Sequence, residues 1–243
     1  MFPGFGTAIN MSTILLGTGI GVFLAHRLNE RVRNVVTDGL GLITLTNGII
    51  CVLDLTKPEF TEALPSGAVL LVPLGAILLG GITGSLLRIE DRLNKFGDSL
   101  RKRFAKEDSS SRFTEGFVAA SLLFGIGPLA LMGSISDGLG NGIDQLLLKS
   151  SLDFFASIAF AASFGWGVAA SILPVGLLQG GFTALGLYLG TFISPVQVLT
   201  MNIVGGLLLI GIGINLLRIR RVPVGDLLPA LLFGPLIVAL IAL

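Results

Sequence analysis

Fourteen of the sixteen Lys and Arg residues fall in three short patches separated by long apolar runs. The first patch is Arg27, Arg31 and Arg33. The second holds Arg88, Arg92, Lys95, Arg101, Lys102, Arg103, Lys106 and Arg112, and the third is Arg218, Arg220 and Arg221. Only Lys57 and Lys149 lie elsewhere. A water-soluble surface spreads its cations, whereas a polytopic membrane protein gathers them in the short loops it keeps in the cytoplasm. The patches therefore constrain topology before any motif is read. Composition agrees: 13% of residues are charged, against about 25% in soluble domains. The 34 glycines suit membrane helices whose backbones approach closely.

A helix needs ~20 mainly apolar residues to cross the hydrocarbon. Eight stretches qualify, over about 4–25, 34–53, 68–87, 114–133, 153–172, 174–193, 196–217 and 224–243. None alternates in polarity as a barrel strand does. With the N-terminus outside, the loops at 26–33, 88–112 and 218–223 all fall inside, and a tight, uncharged inner turn joins the fifth and sixth spans near Pro174. Seven spans would put two basic patches on opposite sides. The expectation is an all-α integral membrane protein, one polytopic domain over 1–243, with about eight spans and both termini outside. The start MFPGFGTAIN lacks the basic n-region of a signal peptide, so the first span is expected to be retained.

The segment 88–113 is a basic amphipathic loop in which Leu93, Phe96, Leu100 and Phe104 recur at helical spacing. It reads as a helix held at acidic headgroups of the lipid bilayer. No aromatics are arranged for base stacking, so no nucleic acid partner is expected.

The third and seventh spans end alike, GAILLGGITGSLLRI at Gly75–Ile89 and GGLLLIGIGINLLRI at Gly205–Ile219. With weaker matches in the other spans, this suggests a four-plus-four parallel repeat with halves 1–133 and 153–243. The first and seventh spans also align, through Asn10/Asn202 and Gly19-x-Gly21/Gly211-x-Gly213. An inverted arrangement pairing Asp38 with Asp153 is the competing symmetry.

Chemistry concentrates in Gly133–Asp153, GSISDGLGNGIDQLLLKSSLD, where Asp137, Asn141, Asp144, Lys149 and Asp153 lie among four glycines. One reading makes it a re-entrant or mouth-forming stretch lining a solute path, because irregular backbone at membrane depth survives only beside protein or water. The other makes it an ordinary outer loop, with Asp153 capping the next helix. Within the spans, Asn10, Asp38, Asn47, Gln179 and Asn202 are the further polar candidates. Asp38 could equally pair with Arg33 or Arg31, and the Asn residues could serve helix–helix hydrogen bonds. The glycine ladders read first as packing surfaces. One cysteine and one histidine, Cys51 and His26, leave no internal disulfide and no basis for a His-built metal site. No motif calls for a cofactor.

GSISDGLGNGIDQLLLKSSLD, the Gly165-Trp166-Gly167 that follows it and the opening GTAIN at Gly6–Asn10 together resemble the bacterial membrane proteins of domain-of-unknown-function family 554, the YqgA-like group. The resemblance covers essentially the whole chain. It implies a multi-spanning bacterial inner-membrane protein and marks Asn10, Asp137, Gly138, Lys149 and Asp153 as family positions. Asn141 stands where the resemblance leads one to expect acidity.

Three functions compete. A secondary transporter or channel-like carrier for a small ion or solute fits the acidic segment, and no Walker A sequence is present to make the chain a P-loop pump. A non-catalytic membrane scaffold or regulatory subunit is the alternative. An intramembrane aspartyl enzyme would need Asp38 and Asp153 face to face, yet the topology sets them toward opposite sides, and an enzyme is not expected. A homodimer through the glycine faces is compatible with each.

Overall fold

Helices are the form by which an apolar chain satisfies its own backbone in lipid, and helices make up this structure. The computed structural model describes residues 2–25, 29–65, 67–104, 110–189 and 194–241; His26, Arg27 and Lys106 lie outside them. In order, the helices are α1 (Phe5–Ala25), α2 (Glu30–Val52), α3 (Pro58–Thr61), α4 (Ala68–Leu87), α5 (Ile89–Phe104), α6 (Ser110–Ile126) and α7 (Pro128–Gly138). They continue with α8 (Asp144–Phe164), α9 (Gly167–Ala170), α10 (Ile172–Leu189), α11 (Pro195–Leu216), α12 (Val224–Leu227) and α13 (Ala230–Ile241). A 3-10 turn, Leu53–Thr56, extends α2. Local sequence sets several starts. Asn29 accepts from Val32 N–H at α2, and Ser194 and Gln197 form a capping box at α11 with Pro195 in its first turn.

Among the described residues, seven helical stretches are long and apolar enough to cross a bilayer: Phe5–Ala25, Glu30–Thr56, Ala68–Leu87, Asp144–Phe164, Gly167–Tyr188, Pro195–Leu216 and Val224–Ile241. Arg112–Ile126 and Leu129–Gly138, bent by 58°, make an eighth if counted as one span. The helix of the fourth expected span is thus interrupted, with a second helix running on to Gly138, because the carbonyl of Phe124 faces a proline with no N–H at position 128. The fifth begins at Asp144, nine residues before the expected start at Asp153, because the polar side chains of Lys149, Ser150 and Asp153 are accommodated inside the bundle. The bend between the fifth and sixth spans falls at Gly165, with φ +74°, and Pro174 sits within the first turn of α10.

The closest helix pairs are α1 with α8, α2 with α11, α4 with α13 and α7 with α10. Glycine allows the close approach in these seams, as the first two show. On α2, Gly41 and Gly48 meet Gly213 and Gly206 of the antiparallel α11; a Cβ at Gly48 or Gly206 would lie 2.7 Å from the opposite glycine's carbonyl oxygen. α1 and α8 run parallel, with Gly6 against Leu146, Gly17 against Phe154 and Ser157, and Gly21 against Ile158 and Ala161. Gly19, on the other side of α1, faces open space.

The basic patches meet at one end of the bundle. Arg112 bonds Glu30 at 3.1 Å, Arg218 donates to Asn34 Oδ1 at 3.4 Å, and Arg221 lies 3.6 Å from Glu90. The helix α5 is tied there at its start: Glu90 N–H donates to Asp226 Oδ1 (2.9 Å), and Gly225 N–H donates to Glu90 Oε2 (3.0 Å). Burial pushes the Glu90 carboxyl above the ordinary range, against the pull of Gly225 N–H and Arg221. The amphipathic face of α5 packs on α6, with Phe96 edge-on to Phe117 at 5.8 Å and Thr114 donating to Asp98 at 2.7 Å.

Two substitutions on α1 separate packing from composition. Gly17→Leu drives a side chain into the α8 backbone, where a Cβ already lies 2.5 Å from the Phe154 carbonyl oxygen. It is expected to cost at least ~1–3 kcal/mol. Gly19→Leu, in open space, is expected to leave the thermal midpoint of the detergent-solubilised protein nearly unchanged; equal losses from both would refute the seam.

Candidate functional site

The segment Gly133–Asp153 is mostly helical and not an irregular loop. It comprises the end of α7, a short reversal at 139–143 and the first half of α8. Positive φ at Gly140 (74°) and Gly142 (107°) lets the chain turn back within a few residues. Asn141 is exposed in that turn, and Asp144 is the exposed first residue of α8. Asp153 does not cap a helix; it lies inside one, near the middle of the 21-residue α8.

Lys149 and Asp153 are one turn apart on α8, so both side chains lie on one face. Lys149 Nζ donates to Asp153 Oδ2, and Asn10 Nδ2 on α1 donates to the same oxygen at 3.0 Å. Exposure is 4% for Lys149, 7% for Asp153 and 0% for Asn10. A charge in a span is costly unless paired and hydrogen-bonded, and this carboxylate has both compensations. The remaining oxygen of the amide, Asn10 Oδ1, is buried with no partner.

A cavity of about 450 Å³ opens beside the pair. Thr44 and Asn47 of α2, Phe124 and Gly127 at the α6–α7 break, and Lys149 and Asp153 are among its walls. Gly127 leaves the helical conformation there, at φ −63° and ψ 151°. A broken helix beside an ionisable pair in mid-span is an arrangement that solute carriers use.

The other candidates divide. Asn47 faces the same cavity. Asp137, at the end of α7, accepts through Oδ2 from Gly4 N–H (3.1 Å) and Gly6 N–H (3.2 Å), which caps the start of α1. Asn202 belongs to a second cluster: its Nδ2 donates to Asp54 Oδ2, and Lys57 bonds Asp54 Oδ1 at 2.7 Å. That bond to Asp54 raises the Lys57 ammonium above its ordinary range. Gln179 is fully buried on α10 with both amide atoms unpartnered. Asp38 is exposed on α2 and forms no ion pair among the described residues; Arg33 instead donates to the Ala25 carbonyl at 2.7 Å. Asp54 and Lys57 are not among the sequence candidates. Their i, i+3 spacing at the end of an apolar span, just before Pro58, is the signal that could have found them.

Fold and site together define the class: an all-helical, multi-pass membrane protein with a buried ion pair in one span. The chain belongs to the family described as Protein of unknown function (DUF554), whose profile matches residues 5–239. The uncharacterized membrane protein YdfK of Bacillus subtilis (strain 168) is 28% identical over 237 residues, 98% of this chain and 96% of its own length. The uncharacterized protein YqgA of Escherichia coli (strain K12) is 31% identical over 232 residues, 94% of each chain. No solved structure matches the chain.

Removing one member of the pair strands the other in the bundle. Asp153→Asn or Lys149→Met alone is expected to cost about 3–5 kcal/mol, and the double variant less than the sum. Chemical unfolding in mixed micelles measures this, and strict additivity would show that the two do not act as a pair. Asp137→Ala, which uncaps α1, is expected to cost about 1 kcal/mol in the same assay.

Proposed function

We propose that the protein is a secondary transporter or channel-like carrier for a small ion or solute in the bacterial inner membrane, with the basic end of the bundle in the cytoplasm. The observation that carries this reading is the Lys149–Asp153–Asn10 cluster, buried in mid-span beside a cavity that reaches the break at Gly127. A purely structural helix gains little from a carboxylate and an ammonium at that depth. A carrier gains a carboxylate that can be handed to a solute when the lysine lets go. The half-helix α7 supplies a segment able to swing at Gly127 without unravelling α6. The positive-inside rule supports the orientation.

Flux into phosphatidylethanolamine/phosphatidylglycerol vesicles tests the reading, with tracer sodium, tracer chloride and an entrapped pH dye as probes. Wild type is expected to exceed empty vesicles for at least one probe. Asp153→Asn is expected to lower that flux by about tenfold or more. A second measurement does not depend on the solute. In a Cys51→Ser background, Asn47→Cys is expected to react with a membrane-impermeant thiol reagent, because a carrier of this kind needs the cavity open to water. Absence of both signals would sink transport, and a stable heteromeric complex on mild-detergent purification would then favour the scaffold.

A further inference from the structure

A second cavity, about 760 Å³, lies at the end of the bundle away from the arginines. Its walls include Asp54, Lys57, Glu59, Asn141, Gln145 and Asn202. Two carboxylates and one ammonium give these six residues a formal charge of −1. The cavity is also rich in oxygen atoms lacking donors. Asn202 spends its N–H on Asp54, which leaves its Oδ1 buried and unpartnered, and Gln145 Oε1 is buried and unpartnered as well. A buried acceptor without a donor is costly, and what complements it is a group with positive charge or N–H bonds.

The chemistry repeats that of the mid-span cluster. In each, an Asn amide N–H and a Lys ammonium hold one Asp carboxylate, and the Asn oxygen is left over. They differ in access. The Lys57 side chain is 51% exposed, and that of Lys149 is 5% exposed. Lys57 is a tethered cation whose half-exposed ammonium has a way out to water from the buried Asp54 carboxylate. Lys149 has no such exit.

We infer that the outer cavity binds a small monovalent cation, an alkali ion or a primary ammonium, at Asp54 with the Asn202 and Gln145 oxygens, in place of the Lys57 ammonium. The inference deepens the transport reading by assigning a charge class to the solute at the point of entry. Binding itself requires no transport.

Equilibrium binding of tracer sodium, tracer rubidium and labelled methylammonium to the purified full-length protein in nanodiscs tests it. At least one probe is expected to bind saturably, and which one binds separates the alkali ion from the organic ammonium. Asp54→Asn is expected to weaken that binding about tenfold or more, and Lys57→Met to tighten it severalfold by removing the internal competitor. Lys57 is largely exposed, so its variant is expected to keep the wild-type elution profile. Asp153→Asn is expected to leave the outer affinity within about twofold. No saturable binding of any probe to wild type and Lys57→Met would overturn the site, as would affinity unchanged in Asp54→Asn. Loss in Asp153→Asn with none in Asp54→Asn would place the cation at the mid-span pair and overturn it too. Flux without binding at Asp54 would leave the carrier standing and remove only this site.

Discussion

The Asp153 carboxylate is the most demanding group in the bundle. It lies near the middle of a 21-residue span, nearly out of reach of water. Lys149 on the same helix supplies charge, but a second donor has to come from α1, so α1 and α8 must lie against each other along much of their length. Only small residues on the shared face permit that approach, and Gly6, Gly17 and Gly21 stand where any Cβ would strike α8. The register of that seam is held at its far end by Asp137, which grips the first N–H groups of α1. One ion pair thus dictates a helix contact, a glycine row and a cap.

The rest of the bundle answers a different requirement, that lipid gives helices no hydrophobic reason to associate. The α2–α11 seam meets it with glycines seven residues apart on each helix, and α4 packs closely on α13 with Gly80 against Ala230. The cationic end is organised by reciprocal bonds between α5 and the α12 segment, and the arginine patches converge there through Glu30, Asn34 and Glu90.

The charge patches and long apolar runs made the helical membrane class legible in the sequence, along with five of the span positions to within a few residues. The middle of the chain was misread for a physical reason. Gly140 and Gly142 do mark a turn, but a fifth span starting at Asp153 leaves Lys149 outside it, because an isolated charge is disfavoured in lipid. Paired at i, i+4 and backed by Asn10, they sit inside a helix. Asn10 and Asn202 stand out in the sequence as polar residues within apolar spans; their acidic partners are 143 and 148 positions away, beyond the reach of any local pattern. Asp38, conspicuous as a charge in an apolar run, sits on an exposed face and joins neither cluster.

The bend at Gly127 gives α7 the mechanics of a lever. Its eleven residues span about 16 Å. A rotation of about 10° at the fulcrum would therefore carry its far end about 3 Å. That far end is Asp137, which holds the start of α1, and Asn10 lies little more than one turn further along α1. One chain of hydrogen bonds thus joins the half-helix below Gly127 to the donor that steadies Asp153, through the first turns of α1.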